Sequence, residues 1–522
     1  MALMLKRHFT LLFIITAIWS CKKEGLKESA NNGNSGLLAV NALPVVKIEA
    51  SKNPGIVSTD VYATFSGSEV NALIPGINNN KKLVITFTTA GTGATVRVND
   101  TLQVSGVTRT DFTKPVIYTV TLPGGKVYKY KFTVKNFTGI PVFYITTSGP
   151  VVSKDDYVTG SLVINTNTLF TQEKNNIPLQ IKGRGNSTWG MPKKPYRLKF
   201  DSKAAVLGMP SAKNWVLLAN YSDKTLLRTS LAFNLGGKLG ANFTPQGRHV
   251  ELVMNGEHLG SYLLTSQVEV HENRVNIPEL KAGDVSPDKI TGGYLLELDQ
   301  RLDEDFWFRT SIKNVPFTIK SPEDIPQAQF DYIKDYMQQT ENAIYASNFA
   351  DPVNGYAKYI NVESFINWYI VQELMKNQDA KDFSSVYYYK DRDGKLCMGP
   401  LWDFDLAAGN VNYSDATHPT GWWIKDGPWF SRLFEDVNFR KKVKARWNQV
   451  KNKEIRAMGP FIDSTVNHIN LSQKENFKKW PILNQYVWPN PVVLGTYEKE
   501  VAHVKSWLTK RAHWLDSEFI KM

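Results

Sequence analysis

The chain contains 522 residues, of which 42% are hydrophobic and 21% charged, and its formal net charge is +13. This length predicts two to four domains, and the positive charge favours anionic partners such as nucleotides, phosphorylated groups, acidic glycans or membrane surfaces. The sequence has no block of five or more Lys or Arg residues and no zinc-finger or helix-turn-helix spacing, so we expect no nucleic-acid partner.

The first forty residues have the pattern of an export signal followed by a tether. Residues 1–20 combine a positively charged start with an apolar stretch too short to span a membrane as a mature helix, which predicts a signal peptide. The segment IWSC that ends at Cys21 resembles a bacterial lipobox, in which the cysteine is lipidated; a plain cleaved signal with an incidental cysteine is the alternative. Residues 21–39 would then be the lipidated cysteine and a polar, flexible tether. We therefore expect an exported bacterial lipoprotein, held by its lipid at the outer membrane or cell surface.

Residues 40–138 have the pattern of an all-β domain. They are rich in Val, Thr, Ile and Gly, and short segments alternate apolar and polar residues, as in VIYTVTL (116–122) and VYKYKFTV (127–134). Turn residues separate these segments, which predicts an immunoglobulin-like β-sandwich. Because the region contains no His, no Cys and no clustered acids, we interpret it as a spacer, with carbohydrate or protein binding as the alternative.

Residues 140–522 change from strands to helices along the chain. Strand-like segments lead to a hairpin over 249–264, in which Asn255-Gly256 is a strong signal for a tight turn. A β-rich half followed by a helical half predicts an α+β domain with two lobes. Helical patterns lie at 225–240, 325–347 and 362–377, and two strands are predicted at 384–391 and 395–405.

The segment KGRGNSTWGMPKKPYRLKF (182–200) is a candidate phosphate site. Two glycines flank Arg184, and further cations follow, including Lys194 and Lys199. Glycines allow close approach of the backbone to a ligand, and cations complement phosphate oxygens. A solvated basic loop is the alternative, and no P-loop or dinucleotide fingerprint is present.

Two acidic positions follow later in the chain. Asp379 lies in a short connection between a predicted helix and a Tyr-rich strand, where a general base or metal ligand could be held and still reach solvent. In PLWDFDLAAGN (400–410), Asp403 and Asp405 would share one face of a strand, and such hard oxygen ligands suit Mg²⁺ or Mn²⁺. The alternatives are a helix-ending turn and a solvated acidic strand face. Kinases use a basic phosphate cradle, a catalytic Asp and a metal-binding Asp in this order.

Six segments carry a family resemblance: KGRGNSTWGMPKKPYRLKF (182–200), NWVLLANYSDKTLLRTSLAFNL (214–235), VELVMNGEHLGSYLL (250–264), NRVNI (273–277), GGYLLELD (292–299) and GPLWDFDLAAGN (399–410). Together they resemble the CotH family, the spore coat protein H-like atypical protein kinases. The resemblance extends over about residues 150–450 and implies a divergent kinase-like fold, ATP with Mg²⁺ or Mn²⁺, and phosphate transfer to Ser of secreted or surface proteins. Many members of this family are bacterial lipoproteins with immunoglobulin-like domains.

The resemblance also implies roles for individual residues. Asp379 resembles the catalytic-loop acid, Asp403 the metal-binding acid, and Asp405 a second acid of the same site. The phosphate-contacting cations would be Arg184, one of Lys194 or Lys199, and Arg228, for which pairing with an acid is the alternative role.

One position departs from the family pattern. Ser266 stands where such proteins commonly carry Glu, and Glu269 or Glu297 are the residues that could replace that Glu. Two other functions therefore stay open. One is a non-catalytic, kinase-like scaffold that binds glycan or protein at the cell surface. The other is a glycoside hydrolase, whose paired carboxylates lie roughly 5–10 Å apart.

Overall fold

The computed structural model describes residues 41–54, 56, 57, 60–75 and 82–522. The predicted signal peptide, Cys21 and the tether to residue 39 lie outside the described residues. No helix in the described part of the chain is long and apolar enough to cross a membrane.

The described residues of the first region, which ends at residue 137, form strands and connecting turns. One sheet has the order β3-β4-β11-β10-β7-β8, another has the order β2-β1-β6, and β5 pairs with β9. Side chains from both main sheets share one apolar core, including Ile48, Val70 and Phe132. The strands are β1 (Val45–Ile48), β2 (Val61–Tyr62), β3 (Thr64–Ser66), β4 (Glu69–Pro75), β5 (Leu83–Val84), β6 (Thr86–Thr88), β7 (Thr95–Val98), β8 (Thr101–Leu102), β9 (Arg109–Thr110), β10 (Val116–Thr121) and β11 (Val127–Phe137).

The second region begins with a seven-stranded sheet that closes on itself. Its order is β12-β13-β14-β15-β16-β18-β17, and β17 pairs with β12 in parallel to complete the ring. Alternate side chains fill its interior, so Leu179, Leu198 and Leu252 are fully buried there. We call it the closed sheet. Its strands are β12 (Val142–Thr147), β13 (Val158–Asn165), β14 (Asn176–Gly183), β15 (Tyr196–Val206), β16 (Met209–Leu218), β17 (Gly247–Met254) and β18 (Glu257–Ser266).

A second, five-stranded sheet and eight helices complete this region. The sheet has the order β20-β21-β19-β22-β23. Its strands are β19 (Tyr294–Leu298), β20 (Trp307–Arg309), β21 (Pro316–Ser321), β22 (Val386–Lys390) and β23 (Leu396–Met398). The helices are α1 (Arg228–Lys238), α2 (Gln327–Tyr345), α3 (Val362–Met375), α4 (Pro428–Leu433), α5 (Val437–Val450), α6 (Met458–His468), α7 (Asn470–Lys479) and α8 (Tyr497–Lys521).

Helix α3 is the centre of the helical half. Its apolar residues leave no polar face, so it packs against α1, α5, α8 and β23 together. The side chain of Asn361 begins the helix by accepting a hydrogen bond from the Ser364 amide at 3.0 Å. Within the helix, the fully buried Glu373 forms an ion pair at 2.5 Å with Arg511 of α8. This pair fixes the C-terminal helix against the end of α3, just before the connection that carries Asp379.

The main sequence-based expectations for this region are confirmed. Helices α1, α2 and α3 occupy the predicted segments, and β17 and β18 form the predicted hairpin, with Asn255 and Gly256 at φ of 50° and 82°. A sheet-rich region is thus followed by an α+β region. The predicted strand over 395–405 is wrong beyond Met398, because the chain leaves β23 there and continues as a loop.

Candidate functional site

A cleft of about 270 Å³ opens between the closed sheet and the five-stranded sheet. Arg184, Asp379, Asp403 and Asp405, four of the residues predicted from the sequence, all line this cleft. They reach it from three connections: the loop after β14, the loop after α3 and the loop after β23. In all, seven carboxylates and four cationic side chains line the cleft, and this excess of acids favours a positively charged ligand such as a divalent metal ion.

Asp379 is fixed by the end of α3. The helix stops at Lys376, which adopts a left-handed conformation with φ of 45°, and a short 3-10 turn then begins at Asp379. The Asp379 carbonyl accepts hydrogen bonds from the Phe383 and Ser384 amides at 3.0 and 3.2 Å. Burial and then the neighbouring charge of Asp403 raise the pKa of the Asp379 carboxyl to about 7. A carboxyl with such a pKa can gain or lose a proton near neutral pH.

Asp403 and Asp405 lie on the loop that follows β23, which we call the acidic loop (residues 399–410). Asp403 is exposed and left-handed, with φ of 59°, and its carbonyl accepts a hydrogen bond at 2.9 Å from the Asn377 side chain. Its carboxylate accepts a longer hydrogen bond, 3.4 Å, from the Ser385 hydroxyl. Burial and the charge of Asp403 raise the pKa of Asp405 well above its usual value.

The predicted alternation of the acidic loop survives although the strand does not form. Trp402 and Phe404 are buried at 5% and 0% exposure, whereas Asp403 between them is exposed. The loop is extended enough to separate an apolar side from a polar side, but it pairs with no strand. Its backbone is held instead by Arg228, whose Nε donates a 2.9 Å hydrogen bond to the Ala407 carbonyl.

Arg184 is the cation that faces these acids. Its guanidinium carbon lies 5.6 Å from the centre of the Trp402 ring, and within the described residues it makes no ion pair or side-chain hydrogen bond. Burial lowers the pKa of Arg184, whereas the charges of Asp403 and Asp405 raise it. Arg184 therefore remains available to a ligand that enters the cleft.

The glycines beside Arg184 are required by close packing. A Cβ at Gly183 would lie 2.4 Å from the Trp189 ring. Gly185 has φ of 83°, a conformation that favours glycine, and a Cβ there would lie 2.2 Å from the Thr188 hydroxyl. The loop over 184–190, which we call the glycine loop, therefore folds tightly onto itself, and Ser187 and Thr188 reach the cleft.

The other three predicted phosphate ligands lie elsewhere. Lys194 donates a 2.6 Å hydrogen bond to the Trp189 carbonyl. Lys199 is exposed on β15, with its amine 5.9 Å from the Tyr157 ring. Arg228 is buried and forms an ion pair at 2.5 Å with Asp223, which is the pairing role that the sequence left open. None of the three lines the cleft.

Lys320 is a cleft residue that the sequence analysis missed. It lies on β21, with its amine 3.8 Å from the Glu297 carboxylate and also paired with Glu304. Burial opposes its charge, but these two carboxylates together raise the pKa of Lys320. Burial raises the pKa of Glu297 itself to about 7. No local motif marks Lys320, because its partner Glu297 comes from the neighbouring strand β19.

Ser266 and the two acids that could replace the family's Glu lie at different positions relative to the cleft. Ser266 is buried at the end of β18, where it pairs with Trp215 and does not line the cleft. Glu269 accepts a 2.6 Å hydrogen bond from the Asn214 side chain and also lies outside the cleft. Of the two acids considered as replacements, only Glu297 lines it.

The acidic loop can be tested as a site for a divalent metal ion. Mg²⁺ is usually held by one or two carboxylates, with water and substrate phosphates as the other ligands. Asp403 and Asp405 provide such a pair, and a cation between them would relieve the repulsion that raises the pKa of Asp405. In the part of the chain that the structure describes, no group of three or more His, Cys, Asp or Glu residues is placed to hold a metal ion. The residues thus fit an ion that takes further ligands from a bound nucleotide.

These parts are the ones that phosphoryl-transfer enzymes use: a cation beside a glycine-rich loop, a loop Asp and a pair of metal-type acids. A family model described as CotH kinase protein matches residues 181–515, which is more than half of the chain. The chain therefore belongs to the CotH kinase family, as the resemblance in its sequence predicted.

Two further comparisons carry no functional argument. A crystal structure of a Bacteroides thetaiotaomicron protein, provisionally described as a glycoside hydrolase, is 17% identical to this chain. The likeness covers 56% of this chain and 88% of that chain, with a TM-score of 0.16. No curated protein matches the chain.

Proposed function

We propose that this protein is a CotH-type kinase that transfers the γ-phosphoryl group of ATP to a Ser hydroxyl of a secreted or surface protein. The observation that carries the proposal is the convergence of Arg184, Asp379, Asp403 and Asp405 on one cleft. Membership of the CotH kinase family supports it.

Asp379 is the proposed general base. Its carboxylate would take the proton of the acceptor hydroxyl while the hydroxyl oxygen bonds to the γ-phosphorus. The bond from that phosphorus to the β,γ-bridging oxygen breaks, and ADP leaves with the electron pair. A pKa of about 7 suits this role, because the group is then partly ionised near neutral pH and still basic enough to hold the proton.

Asp403 and Asp405 would hold Mg²⁺ or Mn²⁺, which when bound offsets the negative charge of the phosphates. Arg184 and the glycine loop would contact the phosphate oxygens, since a free guanidinium forms charge-assisted hydrogen bonds with them. Support comes from the position of Arg184, which faces both acids without pairing with either.

The pair of Glu297 and Lys320 is the proposed replacement for the pair that Ser266 cannot form. In kinases, a Lys positions the nucleotide phosphates and a Glu holds that Lys. Lys320 lines the cleft and is kept charged by Glu297 and Glu304. This supports a nucleotide-positioning role for Lys320.

We further propose how the region outside the cleft serves this activity. Residues 40–138 would form an immunoglobulin-like spacer, and residues 140–522 would form the kinase, with the closed sheet and the helical half as its two lobes. Lipid on Cys21 would hold the protein at the outer membrane or cell surface. These assignments are supported by the sequence patterns and by the order of the sheets.

Incubation of the purified full-length protein with labelled ATP and Mn²⁺ tests the kinase proposal. The wild type should incorporate label, and Asp403→Ala and Asp379→Asn should each reduce the rate by about 100-fold or more. Asp201→Ala is the matched control, because Asp201 is exposed on β15 and lies outside the cleft. Label in all four proteins, or in none, would overturn the proposal.

Calorimetric titration with ATP separates the kinase from a non-catalytic scaffold. A kinase should bind ATP only in the presence of the metal, and Asp403→Ala should lose this binding. A protein that binds no nucleotide under either condition would instead be a scaffold that uses the same fold to bind a surface component.

A further inference from the structure

Three large aromatic side chains are exposed together beside the cleft. Tyr413, Tyr486 and Trp488 are 51%, 58% and 46% exposed. The rings of Tyr413 and Trp488 lie 6.0 Å apart between centroids and only 6° from parallel, which is an offset stack. Clustered aromatic side chains that remain exposed mark interaction sites. We call these three residues the aromatic platform.

Two loops build the platform and hold it in place. The Asn412 side chain donates a 2.9 Å hydrogen bond to the Tyr486 hydroxyl. A second link lies just behind, where the Asn490 side chain donates a 2.9 Å hydrogen bond to the Asn410 side chain. The rings are thus positioned before any ligand binds, which reduces the entropy lost on binding.

The platform adjoins the acids of the cleft. The Asn410 side chain donates a 2.8 Å hydrogen bond to the Asp405 carbonyl, so the loop that carries Tyr413 begins at the acidic loop. Burial, and then the charges of Asp379 and Asp405, raise the pKa of Tyr413 to about 12. Tyr413 therefore lies within electrostatic range of the proposed general base. A ligand that reaches from Asp379 out of the cleft on this side would cross the platform.

The platform offers hydrogen-bond donors that have no partner. Within the described residues, the Tyr413 hydroxyl and the Trp488 indole N–H make no hydrogen bond. The Tyr486 hydroxyl accepts a hydrogen bond from Asn412, and its own proton is not used. A ligand that matches the platform would offer hydrogen-bond acceptors to these donors. It would also place an apolar ring or chain against the faces of the aromatic rings.

We propose that the aromatic platform binds a proline-containing, extended segment of the acceptor protein, next to the Ser that receives the phosphate. Proline segments have carbonyl acceptors but few N–H donors, and they dock on aromatic-lined surfaces as preformed extended helices. The weakly positive C–H groups of the proline ring also suit the negative face of an aromatic ring. A Lys or Arg side chain brings only donors and leaves those of the platform unmatched. The position next to Ser rests on the proposed kinase function, whereas binding of the proline segment does not.

Fluorescence anisotropy tests the proposal without nucleotide. The probes are a fluorescein-labelled peptide AASPPPPAA and the peptide AASAAAAAA, each titrated with the full-length protein. The wild type should bind the proline peptide about tenfold more tightly than the alanine peptide. Trp488→Ala and Tyr413→Ala should lose this preference, whereas Trp488→Phe, which keeps the aromatic ring but lacks the N–H donor, should retain part of it. Tyr62→Ala, which removes an aromatic residue 65% exposed in the first region, is the matched control and should bind as the wild type does.

Equal binding of the two peptides, or a proline preference that persists in Trp488→Ala, overturns the proposal. So does tighter binding of a lysine-substituted peptide or of an unlabelled oligosaccharide competitor, which would assign the platform to a cation or a sugar. The Asp201→Ala protein, which is changed outside the cleft, should bind the proline peptide as the wild type does. A wild type that prefers proline but transfers no labelled phosphate would retain the platform and overturn only the kinase proposal.

Discussion

At the scale of single residues, the charge of Asp403 opposes the ionisation of Asp379 and Asp405. Burial is the largest cause of the raised pKa values of Asp379 and Asp405, and the charge of Asp403 adds to it at both. Such an arrangement is unfavourable for folding unless a cation joins it. The site thus stores electrostatic repulsion that binding of a metal ion and nucleotide would release.

This repulsion predicts how the stability of the metal-free protein depends on pH. The folded-state pKa of Asp379, about 7, lies above its unfolded value, so between about pH 4 and pH 7 the folded state binds more protons than the unfolded state. The free energy of unfolding must therefore fall as pH rises through this window. Asp379→Asn removes the effect and should raise the stability at pH 8 by up to about 4 kcal/mol.

Thermal melts in EDTA at a series of pH values measure this effect. The melting temperature of Asp379→Asn should exceed that of the wild type at pH 8, and the two should converge near pH 4. If the difference in melting temperature between the two proteins is the same at every pH, the Asp379 carboxyl titrates alike in the folded and unfolded states.

Arg228 provides a second prediction at this scale, since two roles were open for it. The Asp223 side chain is 2% exposed and its ion pair with Arg228 is buried. Arg228→Met leaves that carboxylate unpaired and releases the acidic loop, and should destabilise the fold by about 3–5 kcal/mol. Chemical denaturation measures the loss of unfolding free energy. Lys199→Met is the control, and its unfolding free energy should equal that of the wild type. A normal unfolding free energy together with weakened ATP binding would instead favour a phosphate-binding role for Arg228.

At the scale of elements, local patterns predicted what depends on neighbours in sequence. The hairpin at Asn255-Gly256 and the apolar helix α3 have strong local signals, and both form. The first part of the acidic loop was predicted as a strand because apolar and acidic residues alternate in it. Such alternation indicates only that one side of the chain is buried. Arg228 and Asn377, which are far from this loop in the chain, help to hold it, and no local pattern contains those contacts.

The glycine loop is the element whose packing can be tested most directly. In Gly183→Ala the new methyl group would collide with the Trp189 ring, and overpacking of this kind costs about 1–3 kcal/mol. The shift should move Arg184 and weaken metal-dependent ATP binding roughly tenfold. Gly190→Ala is the matched control, because nothing lies within 4 Å of a Cβ there. Calorimetry that gives equal ATP affinities for the two variants would contradict a phosphate-binding role for this loop.

At the scale of the whole molecule, the cleft depends on contacts between distant segments. Lys193, beside the glycine loop, is fully buried and donates a 2.8 Å hydrogen bond to Asn476 of α7. Glu297 and Lys320 meet across neighbouring strands of the five-stranded sheet. Asp379, Asp403, Asp405 and Arg184 could be identified as site residues from motifs in the sequence. The wall of the cleft that Glu297 and Lys320 form depends on how the second half of the chain folds back onto the first. The spacing of residues in the sequence does not predict this arrangement.

The separation of the apolar cores leads to a prediction for the whole chain. Among the described residues, the core of the first region shares no side chain with the cores around the cleft. Two units with separate cores can unfold in separate transitions, and a ligand stabilises only the unit that binds it. Mn²⁺ with a non-hydrolysable ATP analogue should therefore raise only the transition of the kinase region, by about 2.7 kcal/mol at one hundred times its dissociation constant.

Scanning calorimetry of the full-length protein measures both transitions, and Asp403→Ala should abolish the shift while Asp201→Ala retains it. A shift of both transitions by equal amounts would show that the two regions unfold as one unit. A shift that persists in Asp403→Ala would place the metal and nucleotide outside the cleft, because the acidic loop is the part of the cleft whose repulsion the metal relieves.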